Sequence, residues 1–197
     1  MSCFLEYFII HQYPYISEKI ERQQIDYGLA RIHSHRHISR CIIYADWYAD
    51  LIGIDKNSID RLRLYFAISF HDIGRKGELE DVWEGESKNI YLEYLKSVKI
   101  DSQIVNDTNE LVIKDDSFLW DIIHDVDCLD IMRSGTGRGG IMGFNRDYLT
   151  LFKNDLSKQE KIITNAWRLI NMTDDIEYDN VDCLKNIYFN HKDAINI

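Results

Sequence analysis

The chain is poor in the residues that punctuate or cross-link a fold. It has one proline, Pro14, so no Pro-rich linker divides it. Cysteine is limited to Cys3, Cys41, Cys128 and Cys183, with no C-x-x-C pair. That spacing excludes a zinc–thiolate site and a disulfide framework. Cys41 and Cys128 sit among apolar neighbours and read as packed thiols. A reducing compartment, most simply the cytosol, is the expectation. No apolar run reaches membrane-spanning length. The stretch 4–10 carries an acid and lacks a basic flank, so it does not read as a signal peptide. Positive charge is also short: 23 Lys and Arg stand against 33 Asp and Glu, a net charge of -10. An acidic surface repels duplex DNA, RNA and anionic lipid, so neither nucleic acid nor membrane is an expected partner. A local basic pocket for one phosphate ester is still compatible with that charge.

What is present is an ordinary globular composition. Hydrophobic residues make up 45% of 197 and charged residues 28%, enough for one sizeable core. Alternating strand patterns are sparse, and apolar residues recur at helical spacing. A short helix is expected from Ser17 to a stop at Gly28. A long one is expected over 29–51, with Ile38, Ile42, Ala45 and Ala49 as its core stripe and Gly53 as its stop. Ser58 reads as the N-cap of a helix that ends at His71-Asp72-Ile73-Gly74. Further helices are expected over 87–97, 102–113, 118–132, 157–172 and 180–191. The fold class is therefore all-α: one domain of seven to nine helices, with a motif core at 30–132 and C-terminal helices at 145–191 packing on it.

Histidine is scarce, seven in all, yet three fall within 33–37. His33 and His37 are four apart, so a helix puts both on one face, and Arg40 reaches the same side. His71-Asp72 follows the apolar run 64–68, where an adjacent acid and imidazole are costly to bury unless paired or metal-bound. The third piece is His124-Asp125-Val126-Asp127-Cys128-Leu129-Asp130. A helix places His124 and Asp127 together, with Asp130 near the same face. Asp125 and Asp130 also fit a solvated role. Each piece alone is weak. Their order, with two imidazoles and two carboxylates at His37, His71, Asp72 and Asp127, suits a divalent ion such as Mg2+ or Mn2+ with positions open for water and substrate. Such an ion polarises a phosphoryl oxygen and lowers the pKa of bound water.

These residues resemble the HD-domain phosphohydrolase superfamily, an all-helical fold named for its His-Asp pair. His37 matches its first histidine, His71-Asp72 its doublet and Asp127 its last aspartate. A narrower set is similar to the phosphodiesterase domain of the SidE effector family. It comprises His33-x-x-x-His37-x-x-Arg40, then Phe70-His71-Asp72-Ile73-Gly74-Arg75 with Glu78-x-x-Asp81-x-Trp83, then His124 three residues before Asp127. The sequence departs from that pattern at Leu79, where a small residue is expected after the glutamate. The resemblance implies cleavage of a phosphoester in a nucleotide or ADP-ribosyl substrate, carried on ubiquitin or another protein. It also implies action in the cytoplasm, or export as an effector into a host cytosol. Carried over by motif, His33 attacks phosphorus, His124 gives a proton to the leaving group, and Glu78 supports His33.

Phosphodiester chemistry needs those same parts: a nucleophile, a proton for the leaving oxygen, and positive charge on the nonbridging oxygens. Arg40, Arg75 and Arg133 are the candidate phosphate contacts. Two other readings stay open. One is a metal-dependent nucleotide phosphohydrolase using the four-residue set directly. The other is an inactive helical module that binds a nucleotide or protein. Five of the ten glycines fall in the loop 134–143, which lacks the context of a nucleotide-binding loop and reads as a surface loop or a flap beside the site.

Overall fold

The computed structural model describes residues 4–27, 33–76, 84–98, 100–101, 104–105, 117–133, 150–155 and 160–195. All regular structure among them is helical, and they build one compact unit. Helix α1 (Phe4–Tyr7) runs through a π-helical turn (Phe8–Gln12) into α2 (Tyr13–Tyr27). Then come α3 (His35–Leu51), α4 (Ile59–Phe70), α5 (Glu84–Ser97), α6 (Ser117–Ile131), α7 (Glu160–Thr173) and α8 (Cys183–Ile195). A 3-10 turn at Ile176–Tyr178 precedes α8.

Helix α3 is the hub. It packs on α4, α6, α7 and α8 at once, and thirteen of its seventeen residues are buried. The expected stripe of Ile38, Ile42, Ala45 and Ala49 is in the core, but Cys41, Ile43, Tyr44 and Tyr48 are buried beside it. A helix apolar on several faces belongs at the centre of a bundle. Its C-terminus ends as its sequence directs: Gly53 adopts φ +77°, and the Ile54 amide donates to the Ala49 carbonyl at 2.9 Å. Ser58 then caps α4 by accepting from the Arg61 amide at 3.4 Å.

Three boundaries differ from expectation. Ser17 does not start a helix; its hydroxyl donates to the Pro14 carbonyl at 2.9 Å inside α2, and the helical run begins at Phe4. Pro14 comes just after the π-helical turn Phe8–Gln12 inside this run, and the irregular turn is where a residue without an N–H donor is accommodated. Helix α3 begins at His35 rather than near 29, because Ser34 is extended at φ -86° and ψ 176°. His33 is therefore outside the helix. Helix α5 starts at Glu84, three residues before Ser87. The expected helix over 102–113 and the glycine-rich loop 134–143 lie outside the described residues.

Candidate functional site

The N-terminal turn of α3, the C-terminal end of α4 and the middle of α6 meet in the bundle interior. There His37, His71, Asp72 and Asp127 each offer one ligand atom, all within 4.8 Å of one another. His37 Nε2 lies 3.3 Å from His71 Nε2, 3.2 Å from Asp127 Oδ1 and 3.4 Å from Asp72 Oδ2. His71 Nε2 lies 3.2 Å from Asp72 Oδ2.

The outward nitrogens of these rings are committed. His71 Nδ1 donates to the Ile68 carbonyl at 2.6 Å, within the last turn of α4. His37 Nδ1 donates to Asp130 Oδ2 at 2.9 Å. Both Nε2 atoms are thereby aimed at each other and at two carboxylates. That arrangement calls for positive charge at its centre. Burial opposes charging either ring, yet the ionised carboxylates Asp72 and Asp127, with Asp130 on His37, hold both imidazoles well above the usual histidine range. Burial likewise pushes Asp72 up, but His71, His33 and His37 carry it well below the usual carboxylate range. Asp127 is shifted in the same direction by His37 and His71 against its burial. Asp127 Oδ1 is buried and makes no hydrogen bond of good geometry, although His37 Nε2 stands 3.2 Å away. Two imidazole nitrogens and two carboxylates, one of them with that oxygen unsatisfied, fit a divalent cation in donor type and in charge.

His33 reaches the cluster from the segment before α3. Its Nδ1 is 2.6 Å from Asp72 Oδ2, and its ring stands edge-on to His37 at 5.7 Å. The expected shared helical face of His33 and His37 does not exist; the extended Ser34 breaks it, and Asp72 brings the two rings together instead. Asp72 is fixed from its other side by Arg75 Nε at 2.8 Å. The carboxylate on His33 is thus Asp72, while Glu78 lies outside the described residues.

The cluster opens on one side into a cavity of about 540 Å3. His71, Asp127, His124 and Arg75 line its polar end, with Lys88 from α5. Phe70, Tyr91, Trp120, Ile123 and Leu151 form an apolar wall. His33 is not among the described residues that line it. His124 is a partly exposed side chain, with Nδ1 3.4 Å from Asp125 Oδ1. Asp125 itself is buried, not solvated: it accepts from the backbone amides of Lys153 at 2.7 Å and Asn154 at 2.9 Å. It so ties the segment carrying Leu151 to α6. Cys128 lines the same cavity beside His124, and burial pushes its thiol up to about 12, which leaves it an inert packed thiol.

The three candidate arginines have different places. Arg75 is at the cavity. Arg40 is 1% exposed and grips Asp130 with Nε at 2.6 Å and Nη2 at 3.1 Å. Arg133 also lies on Asp130, through Nη1, which in addition donates to the Asp130 carbonyl at 2.7 Å. Arg40 and Arg133 thus both support Asp130 and are not among the described residues that line the cavity, whereas Arg75 is. The sequence reading also left out Lys88 and Trp120 as cavity residues. Nothing in their local spacing marks them, since α5 and α6 are brought together only by packing.

Fold and site together define the class: an all-helical protein with a buried two-histidine, two-aspartate centre at the polar end of a cavity. The family model for the SidE phosphodiesterase (PDE) domain matches residues 14–182, a span that includes the whole cluster and His124. The chain belongs to the SidE phosphodiesterase domain family. No curated protein and no solved structure matches it.

Proposed function

We propose that the chain is a phosphodiesterase of HD-type architecture that cleaves a phosphoester in a nucleotide or ADP-ribosyl substrate, with ADP-ribosylated or phosphoribosylated ubiquitin as the protein-borne form. The observation that carries the reading is the cavity. Its polar end gathers His71, Asp127, His124, Arg75 and Lys88, and its wall offers Phe70, Tyr91 and Trp120 to a flat group. A phosphate fits between the cations, and a base fits against the rings.

In this reading Asp72 holds the Nδ1 proton of His33, leaving Nε2 as the nucleophilic nitrogen. Nε2 forms a bond to phosphorus as the bond to the leaving oxygen breaks, and His124 gives that oxygen a proton. Water then displaces the imidazole, with His124 taking a proton from it. Arg75 balances charge on the nonbridging oxygens while fixing Asp72. A second reading is favoured by Asp127 Oδ1, buried beside His37 Nε2 without a well-formed hydrogen bond: His37, His71, Asp72 and Asp127 would hold a divalent ion, which when bound supplies a Lewis acid and an activated water. A SidE-like protein would do this work in a host cytosol; no helix among the described residues is long and apolar enough to cross a membrane.

The test is a turnover screen on ADP-ribosylated ubiquitin, dinucleotides and nucleoside triphosphates, with and without a chelator. Cleavage of the ubiquitin adduct that survives chelation supports the His33 route. Loss of turnover on chelation, restored by Mn2+, supports the ion. No cleavage of any of them contradicts both.

A further inference from the structure

Asp130 lies outside the four-residue cluster and outside the cavity lining, yet it is among the most heavily bonded side chains of the interior. It is 0% exposed. Its Oδ2 accepts from His37 Nδ1 at 2.9 Å and from Arg133, and its Oδ1 accepts from Arg40 Nε at 2.6 Å and Tyr44 OH at 3.3 Å. Two arginines on one carboxylate exceed what a simple buried ion pair requires. They keep it ionised and pin its orientation, while an acceptor position on Oδ2 is left for the imidazole N–H.

We propose that Asp130 is the positioning residue of the site: it fixes a proton on His37 Nδ1, so that Nε2 is the nitrogen given to the cluster, with Arg40, Arg133 and Tyr44 holding the carboxylate in place. This inference rests on the reading of His37 as a cluster residue. The chemistry is that of a carboxylate behind a ligating histidine. An ionised carboxylate has no proton to offer, so only the Nδ1–H tautomer or the imidazolium satisfies it. An asparagine in its place changes the outcome. Arg40 Nε and Tyr44 OH hold the Oδ1 place, so they claim the amide oxygen and leave the NH2 at the Oδ2 place, facing His37. The ring must then accept at Nδ1 and carry its proton on Nε2, pointing hydrogen at the place where a lone pair is needed.

The direct test is the 15N spectrum of the histidine side chains in the full chain, with Zn2+ titrated as a diamagnetic probe. His37 is expected to show a proton on Nδ1, and Nε2 to shift on Zn2+ addition. A bare Nδ1 with the proton on Nε2 overturns the proposal. Asp130→Asn is expected to weaken Zn2+ binding about 10–100-fold. Turnover of bis(p-nitrophenyl) phosphate should fall by a similar factor in kcat with little change in KM, and Asp130→Glu should recover part of both. Wild-type Zn2+ affinity in Asp130→Asn overturns the proposal. If that variant fails to fold, the wild-type spectrum decides alone. If the wild type never turns over a phosphodiester, the phosphodiesterase reading fails while the tautomer and Zn2+ results still stand or fall by themselves.

Discussion

One carboxylate oxygen, Asp72 Oδ2, stands 2.6 Å from His33 Nδ1 and within 3.4 Å of both cluster imidazoles. The two histidines of the 33–37 segment therefore do different work through the same acid. Asp72 holds His33 through its Nδ1, and Asp72 keeps Arg75 when His33 is removed. His37 is 0% exposed, with its outward nitrogen on Asp130. His33→Ala is thus expected to lower turnover by a factor on the order of a hundred or more, with little change in thermal midpoint or substrate affinity. His37→Ala is expected to cost about 1–3 kcal/mol in stability as well, because Asp130 loses a buried partner. Turnover and thermal denaturation of both variants check this; near wild-type turnover in His33→Ala points to the four-residue set as the seat of the chemistry. At this scale the sequence was legible in its residue types. The order His, His-Asp, Asp identified the cluster, because the chemistry needs those donors. Asp130 was read as near the same face or solvated, since its partners Arg40 and His37 lie 90 or more residues away. No local spacing encodes such a pairing.

The elements hold the site because α3 is fastened at both ends. At its start, Arg36 reaches Asp174 and Asp179, so the acidic stretch after α7 is a docking point and not merely a solvated loop. At its end, the buried Arg61 of α4 binds Asp46 at 2.6 Å, Asp50, and the carbonyl of Ile54 at 2.7 Å with Nη2. This clamp sets α4 against α3 and so fixes where His71 emerges relative to His37. Arg61→Ala leaves Asp46 without its cation, while Asp50 keeps Lys56 at 3.0 Å, and is expected to destabilise the fold by about 3 kcal/mol, measured by denaturant unfolding. Helix cores were readable from periodicity, as with Ser58 and Gly53 around the α3–α4 turn. The starts of α2 and α3 were not. Ser17 and the segment before His35 carry acceptable helical patterns, but Ser17 lies inside α2 and the extended Ser34 sets His33 outside α3, where it turns onto Asp72.

At the scale of the molecule, a chain of net charge -10 concentrates cations where the acidic cluster and cavity need them. Arg75 and Lys88 stand at the cavity, and Arg40 and Arg133 neutralise Asp130 behind it. Under the proposed function, these cations would draw a phosphate-bearing substrate to the cavity of a chain that is acidic as a whole. The family match runs from 14 to 182, across the motif core and α7 and up to the start of α8, and both α7 and α8 pack directly on α3. Helical periodicity made the all-helical class readable, whereas the cavity wall was not, because Tyr91, Trp120 and Leu151 come from three separate segments. The central claim is that this cavity cleaves a phosphodiester with His124 as the proton donor. The measurement is release of the nucleotide from ADP-ribosylated ubiquitin by the wild type and by His124→Ala. The account predicts release by the wild type and a loss of about a hundredfold or more in the variant with folding unchanged; equal release by both, or none by the wild type, would contradict it.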